Sequence, residues 1–414
     1  MEGKDVAERI IWTNIVGLTL SWVIWNPFQL ATMTYWQIFL LALGATPPII
    51  AMISAVSEIT LSISRIPGGY LADKIGRRIL IVSMTYVISL VYLIMYFATR
   101  WEHILIASII NNIALFYQPA LNAIIADSLP KRRRGFGFSI TSTIPGIANI
   151  FAPYIALIYV TKYGVVIGTR QLLLLSCLTG LIAATVRLIT LRETIKSENF
   201  ALNKIGSDIV IEYRETIKLI FRVMKFLLIG LAFAGIASGL AYLSQLYALN
   251  YLAISKEGWA YIQIASITLF LVLPLPFSIL VDKVGRKLPI VTAALLASVS
   301  YFMMAIAPVG ERAIRYLFAS AILGSIAGAM NSVALSAAEA DLISQEIRGK
   351  GYAMIGLINT FVVALAQLTS GLIYVSLGPR VPFLLAAMFS LLAFLVFLRI
   401  SETLRGKPPT ISTR

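Results

Sequence analysis

The stretch Gly69-Tyr70-Leu71-Ala72-Asp73-Lys74-Ile75-Gly76-Arg77-Arg78 decides how the rest of the chain is read. One long apolar run leads into it and another starts directly behind it at Ile79. A loop this short between two membrane-crossing helices has two tasks. It turns the backbone sharply, and it holds five ionisable groups (Asp73, Lys74, Arg77, Arg78 and the Tyr70 phenol) at the water boundary. Gly76 takes a positive φ at little cost, and Gly69 lets a neighbouring helix come close. Asp73 ends a helix among Lys74, Arg77 and Arg78, so it is not a lone charge facing lipid. The pattern returns 209 residues later as Ser278-Ile279-Leu280-Val281-Asp282-Lys283-Val284-Gly285-Arg286-Lys287. A loop recurring in each half of an apolar chain implies a duplicated membrane bundle.

Composition agrees. A chain of 414 residues could hold two or three soluble domains, but 59% hydrophobic and 13% charged residues exclude that. With a mean hydropathy of +0.86, the expected fold is an all-α polytopic membrane protein. Cys177 is the single cysteine, so no intramolecular disulfide forms. Residues 1–9 are mostly polar, and the apolar stretch after them has no small-residue cleavage site, so it reads as a retained first span. The net charge of +15 is a topology signal and not a nucleic-acid one. With the amino terminus inside, Arg100, Lys162, Arg170, Lys256, Arg312, Arg315 and Arg380 fall outside and Arg65 falls within a helix. Every other Lys and Arg, Arg187 included, is assigned to the cytoplasmic side or its edge.

Twelve apolar spans are expected, at about 10–30, 47–71, 79–98, 104–127, 136–160 and 171–190, then 226–249, 259–281, 289–307, 315–338, 351–375 and 381–398. An even count puts both termini in the cytoplasm. The expected organisation is a six-helix bundle over 1–191, a linker over 192–225 and a second bundle over 226–414 with a short tail. Within the linker, Ile209, Tyr213, Ile217, Ile220 and Met224 form a helical stripe, read as an amphipathic helix on the inner leaflet or as a solvated linker helix. Further repeats support duplication. Asp127-x-x-Pro130-x-x-x-Arg134-Gly135 answers Asp341-x-x-Ser344-x-x-x-Arg348-Gly349, and Glu193-Thr194 answers Glu402-Thr403.

The loop G-x-L-x-D-K-x-G-R-R resembles the signature between helices 2 and 3 of the major facilitator superfamily, and the second copy is similar. The resemblance implies twelve helices in two pseudo-symmetric bundles, a secondary transporter working by alternating access. It also implies a charge cluster of Asp73, Arg77 and Asp127 that latches the outward-facing state, and more loosely Asp282, Arg286 and Asp341. Gly69, Lys74, Gly76, Arg78, Arg134, Lys283, Gly285 and Arg348 belong to the same loops. In the fold this resembles, helices 1, 4, 7 and 10 line the central cavity, which nominates Trp22, Asn26, Asn111, Asn112, Tyr117, Gln118, Tyr242, Gln245 and Asn331. The plain alternative for each of these is interhelical packing.

One residue is not required by composition. Glu58 falls near the middle of the second span, on one helical face with Ser54, Ser62, Arg65, Gly69 and Asp73. An intramembrane acid is costly, faces the protein interior and suits proton relay or cation binding. The alternative is a neutral Glu58 bonded to a neighbouring helix. Arg65, two turns on, is expected to snorkel toward the cytoplasm in preference to pairing with Glu58. His103 is the only histidine, and no phosphate-binding glycine loop or nucleophile elbow occurs, so neither an enzyme nor a metal or cofactor site is expected.

The expected function is proton-coupled transport of a small organic solute by a plasma-membrane protein, acting as a monomer in the lipid bilayer, with export of drugs or metabolites slightly favoured. Export of cationic compounds would use Glu58 with Trp22, Tyr117 and Tyr242 as an aromatic wall. Proton-coupled metabolite uptake, or a sensor that no longer transports, are the alternatives. The lack of deep Arg or Lys pairs argues against multiply anionic cargo.

Overall fold

The computed structural model describes residues 2–129, 134–194, 224–343 and 348–403, without the side chains of 2–11, 66–75, 134–136, 348–350 and 353. The amphipathic stripe of the linker lies outside the described residues. So do the side chains of Gly69, Asp73, Lys74, Arg134 and Arg348.

The long regular elements among the described residues are all helices. The first half holds α1 (Glu2–Met33), α2 (Trp36–Ala42), α3 (Pro47–Ile75), α4 (Arg77–Tyr96), α5 (Trp101–Ala114), α6 (Gln118–Asp127), α7 (Arg134–Asn149) and α8 (Ala152–Thr190). The second holds α9 (Lys225–Leu240), α10 (Lys256–Val272), α11 (Pro274–Val284), α12 (Lys287–Ala305), α13 (Ala313–Leu342), α14 (Arg348–Ser376) and α15 (Val381–Phe397). Each of the twelve expected spans falls on helix. By length and hydropathy eight runs stand alone as membrane spans among the described residues, or nine with the α10–α11 pair, which is bent by 45°.

Proline sets the breaks inside spans. A helical Pro has no N–H for the carbonyl four residues back. Four residues before Pro119 is Leu115, where the helix tightens into the 3₁₀ turn Leu115–Tyr117. Four before Pro153 is Asn149, where α7 stops. The fifth and sixth spans meet inside α8 at Gly164, whose φ of 78° and ψ of 167° turn the chain without a loop. The segment after the first span, expected to be a loop, instead carries α2, which buries Phe39 and Leu40 completely. Seven helical residues are too few to register as a span, so apolarity alone hid this element.

Two compact units emerge, one of Met1–Thr46 with Val56–Phe200 and one of Pro47–Ala55 with Ala201–Arg414. In the first, α8 packs along both α1 and α4. In the second, α12 packs on α13 and α15, and α9 on α14 and α15. Small residues permit the tightest approaches. A Cβ on Gly239 of α9 would sit 2.6 Å from the Val363 carbonyl oxygen of α14.

Candidate functional site

α3 ends at Ile75, Gly76 turns the chain at φ 105°, and α4 starts at Arg77. The first N–H groups of any helix lack partners. Here Glu193, just beyond α8, supplies them. Its Oε1 accepts from the Arg77 backbone N–H at 3.2 Å and its Oε2 from that of Arg78 at 2.9 Å. A carboxylate there also meets the positive end of the helix dipole. The Arg77 guanidinium donates to the Asp127 carboxylate at the end of α6 and to Thr194 Oγ1 at 3.2 Å. Arg78 Nη2 donates to the Leu188 carbonyl at 2.8 Å. One loop is thereby stitched to the ends of the fourth and sixth spans.

The second half repeats the arrangement. Glu402 Oε1 accepts from the Arg286 N–H at 2.9 Å and Oε2 from the Lys287 N–H at 3.1 Å, ahead of α12. Arg286 Nε donates to Asp341 Oδ2 at 3.1 Å, and Thr403 Oγ1 donates to the same oxygen at 2.9 Å. Asp282 is the weaker partner. It lies 3.6 Å from Arg286 with its side chain 75% exposed, the setting in which ion pairs contribute least. Lys283 is exposed beside it.

The first unit has a half-open cavity of about 350 Å³. Trp22, Trp25, Asn26 and Gln29 of α1 face Tyr117, Gln118 and Asn122 across it. Arg65 of α3 is tied to this wall. Its Nε and Nη2 donate to Gln118 Oε1 at 2.9 and 2.6 Å. Both donors are thus taken up by one carbonyl oxygen, and Arg65 makes no direct ion pair with Glu58. Glu58 is exposed rather than packed against a neighbouring helix.

The second unit has a half-open cavity of about 330 Å³ whose polar lining includes Ser238, Ser300, Tyr301, Asn331 and Asn359. Asn111, Asn112, Tyr242 and Gln245 line neither cavity. Asn112 instead donates to the Ser108 carbonyl of its own helix at 2.8 Å.

Sequence reasoning placed Arg187 at the cytoplasmic edge. It is the largest completely buried side chain among the described residues. Its Nε donates to Ser21 Oγ at 2.9 Å and its Nη1 to Thr85 Oγ1 at 2.7 Å and to the Tyr117 hydroxyl at 3.4 Å. The Trp22 and Trp25 ring centroids lie 5.6 and 5.9 Å from its guanidinium carbon. An arginine one turn from the end of an apolar span reads as an interface residue. Only the convergence of three other spans on it reveals otherwise.

The model for the Major Facilitator Superfamily matches residues 15–272 and 227–413. The chain belongs to the Major Facilitator Superfamily. It is similar to an uncharacterized MFS-type transporter of Methanocaldococcus jannaschii, 27% identical over 369 residues and covering 85% of each chain. Solved superfamily structures share its fold. A D-xylose–proton symporter superposes with a TM-score of 0.73 at 16% identity, covering 97% of this chain and 100% of that one. A POT family transporter in complex with 5-aminolevulinic acid gives 0.75 at 15% identity, covering 93% and 95%. A nucleoside transporter gives 0.71 at 16%, covering 94% and 99%. This superfamily member is thus a multi-pass membrane transporter for a small molecule and not an enzyme. Two of its structurally engaged groups, Glu193 and Glu402, had a visible signal in the sequence, since their 209-residue offset equals that of the paired loops.

Proposed function

We propose that the protein is a proton-coupled secondary active transporter that moves a small organic solute across the plasma membrane by alternating access. The matched charge clusters carry this reading. Each joins a helix start to two helix ends through a carboxylate cap and a partly exposed ion pair. In the first cluster the Arg77 side chain is 11% exposed and that of Asp127 40%. Such pairs are strong enough to hold a loop and weak enough to open, as a two-state element requires. Asp73, Arg77 and Asp127 form the first latch and Asp282, Arg286 and Asp341 the second, with Arg134 and Arg348 at the starts of α7 and α14.

Glu58 is the proton-exchange group in this reading. Trp22, Asn26, Tyr117 and Gln118 are the solute-contacting residues of the first unit's cavity and Asn331 that of the second unit's, and Asn111, Asn112, Tyr242 and Gln245 belong to the same proposed set. The two six-helix halves, 1–191 and 226–414, work as one monomer with both termini in the cytoplasm. Among the structural relatives, one is a proton symporter for D-xylose and one holds 5-aminolevulinic acid, which lends weight to a small polar organic cargo.

The test is flux in liposomes holding the purified protein, with a pH gradient of either sign and labelled sugars, nucleosides, amino acids and carboxylates outside. The expected result is gradient-driven accumulation of one class, lost in Glu58→Gln while solute counterflow persists. Accumulation on the alkaline side identifies symport, and accumulation on the acidic side identifies export by exchange. Flux of no class by a well-folded protein would replace transport with a sensor role.

A further inference from the structure

Arg187 holds a full positive charge in a place where charge is costly. Among the described residues it has no carboxylate partner, and its Nη2 makes no hydrogen bond. The three oxygens that hydrogen-bond to it act as acceptors. Ser21 has already given its hydroxyl proton to the Leu18 carbonyl at 2.7 Å, and Thr85 has given its own to Ile81 at 2.5 Å. Both therefore turn lone pairs toward the guanidinium. This shell keeps the charge without neutralising it, and a buried cation among neutral groups is unfavourable unless a counter-charge answers it. Three members of the shell, Trp22, Trp25 and Tyr117, are also the wall of the first unit's cavity.

We propose that Arg187 sets the sign of this cavity and makes it a binding site for a solute bearing a carboxylate. The inference rests on the transporter reading only in taking the cavity as part of the solute site. Three features of the wall agree. The Tyr117 oxygen accepts from Arg187, so its own proton is not spent on that contact. Two N–H groups of Arg65 converge on one atom of Gln118, which fixes that atom as the carbonyl oxygen and leaves the amide NH2 as donor. Among the described residues no acidic side chain lines the cavity. One face of each cavity indole, Trp22 and Trp25, already has a cation inside the protein against it. Arg187 acts through Tyr117 and the indoles and is a positioning residue.

Binding to the detergent-purified full chain tests this, by calorimetry over several scaffolds, each presented as carboxylate, neutral amide and ammonium. Carboxylates are expected to bind best. In Arg187→Gln their affinity should fall about tenfold, the scale of a charge interaction across ~9 Å of intermediate dielectric. Amides should stay within about twofold, and Arg187→Lys should keep most carboxylate binding. A merely structural arginine would weaken all three chemistries alike. If Arg187→Gln does not fold, Tyr117→Phe decides, since it removes one donor and no charge and should also weaken carboxylates selectively. Preferential ammonium binding, no carboxylate binding on any scaffold, or carboxylate binding unmoved by these substitutions overturns the proposal. The two readings fail separately. A carboxylate that binds but never crosses the liposome membrane defeats transport and keeps this site, whereas an ammonium compound that crosses does the reverse.

Discussion

The Glu193 carboxylate occupies the space that any side chain on Gly76 would need, for a Cβ there would lie 2.9 Å from Glu193 Oε2. In the second half the clash is closer, 2.3 Å between a Gly285 Cβ and Glu402 Oε2. Both glycines also have positive φ, 105° and 96°. The glycine requirement therefore has two causes, backbone conformation and a helix cap. Gly76→Ala and Gly285→Ala should each lower stability by about 2 kcal/mol, read as a fall in thermal midpoint. Gly285→Ala should cost more, because its cap is closer. Equal midpoints for both variants and the parent would remove the cap from this account.

The two acids near Arg286 should differ in worth. Asp341 shares an oxygen with Arg286 and Thr403, while Asp282 is mostly exposed. Double-mutant cycles should give a coupling of about 1–2 kcal/mol for Arg286 with Asp341 and below about 0.5 kcal/mol for Arg286 with Asp282. A reversed order would move the tight pair to the loop itself.

Asn14 joins three parts of the first unit. Its Nδ2 donates to Ser128 Oγ at 2.9 Å and to the Arg192 carbonyl at 3.2 Å, and its Oδ1 accepts from the Arg192 N–H at 2.7 Å. Asn14→Ala strips partners from the backbone just ahead of Glu193 and should cost about 2 kcal/mol. Hydrogen exchange should rise first at residues 191–194, ahead of the rest of α8. Uniform exchange along α8 would count against this local role.

The contact of α9 with α14 leaves no room for growth. Gly239→Ala would push a methyl to 2.6 Å from a backbone oxygen that cannot swing aside, and a loss of about 1–3 kcal/mol is expected. Gly328→Ala, whose added Cβ would meet only the Phe270 ring at 3.4 Å, should be nearly silent. A thermal-melt comparison of the two variants checks the contrast.

Much of the architecture was legible because a bilayer demands long apolar helices and because duplication repeats its own spacing. The partners Arg77 with Asp127 and Arg286 with Asp341 were implied by the resemblance of the paired loops to the superfamily signature, and both pairs form. Glu193 and Glu402 stood in the same register, yet their role as caps depends on two helices meeting end to end, which periodicity does not encode. Arg187 misled for a related reason. Its neighbours in sequence are apolar whether it faces water or Ser21, Thr85 and Tyr117, and those partners arrive from three other spans. The short helix Trp36–Ala42 escaped notice because it is too brief for a span and too apolar for a loop. Glu58 was found by its depth alone, and depth does not say which way a side chain points.

The carboxylate caps also bear on the order of assembly at the ribosome. The start of the third span in each half is completed by a residue that follows the sixth. Neither loop can be capped until the last helix of its own half has been synthesised, and the loop of the first half is capped by a residue of that half alone. Translation thus delivers the two caps in succession, one behind each sixth helix.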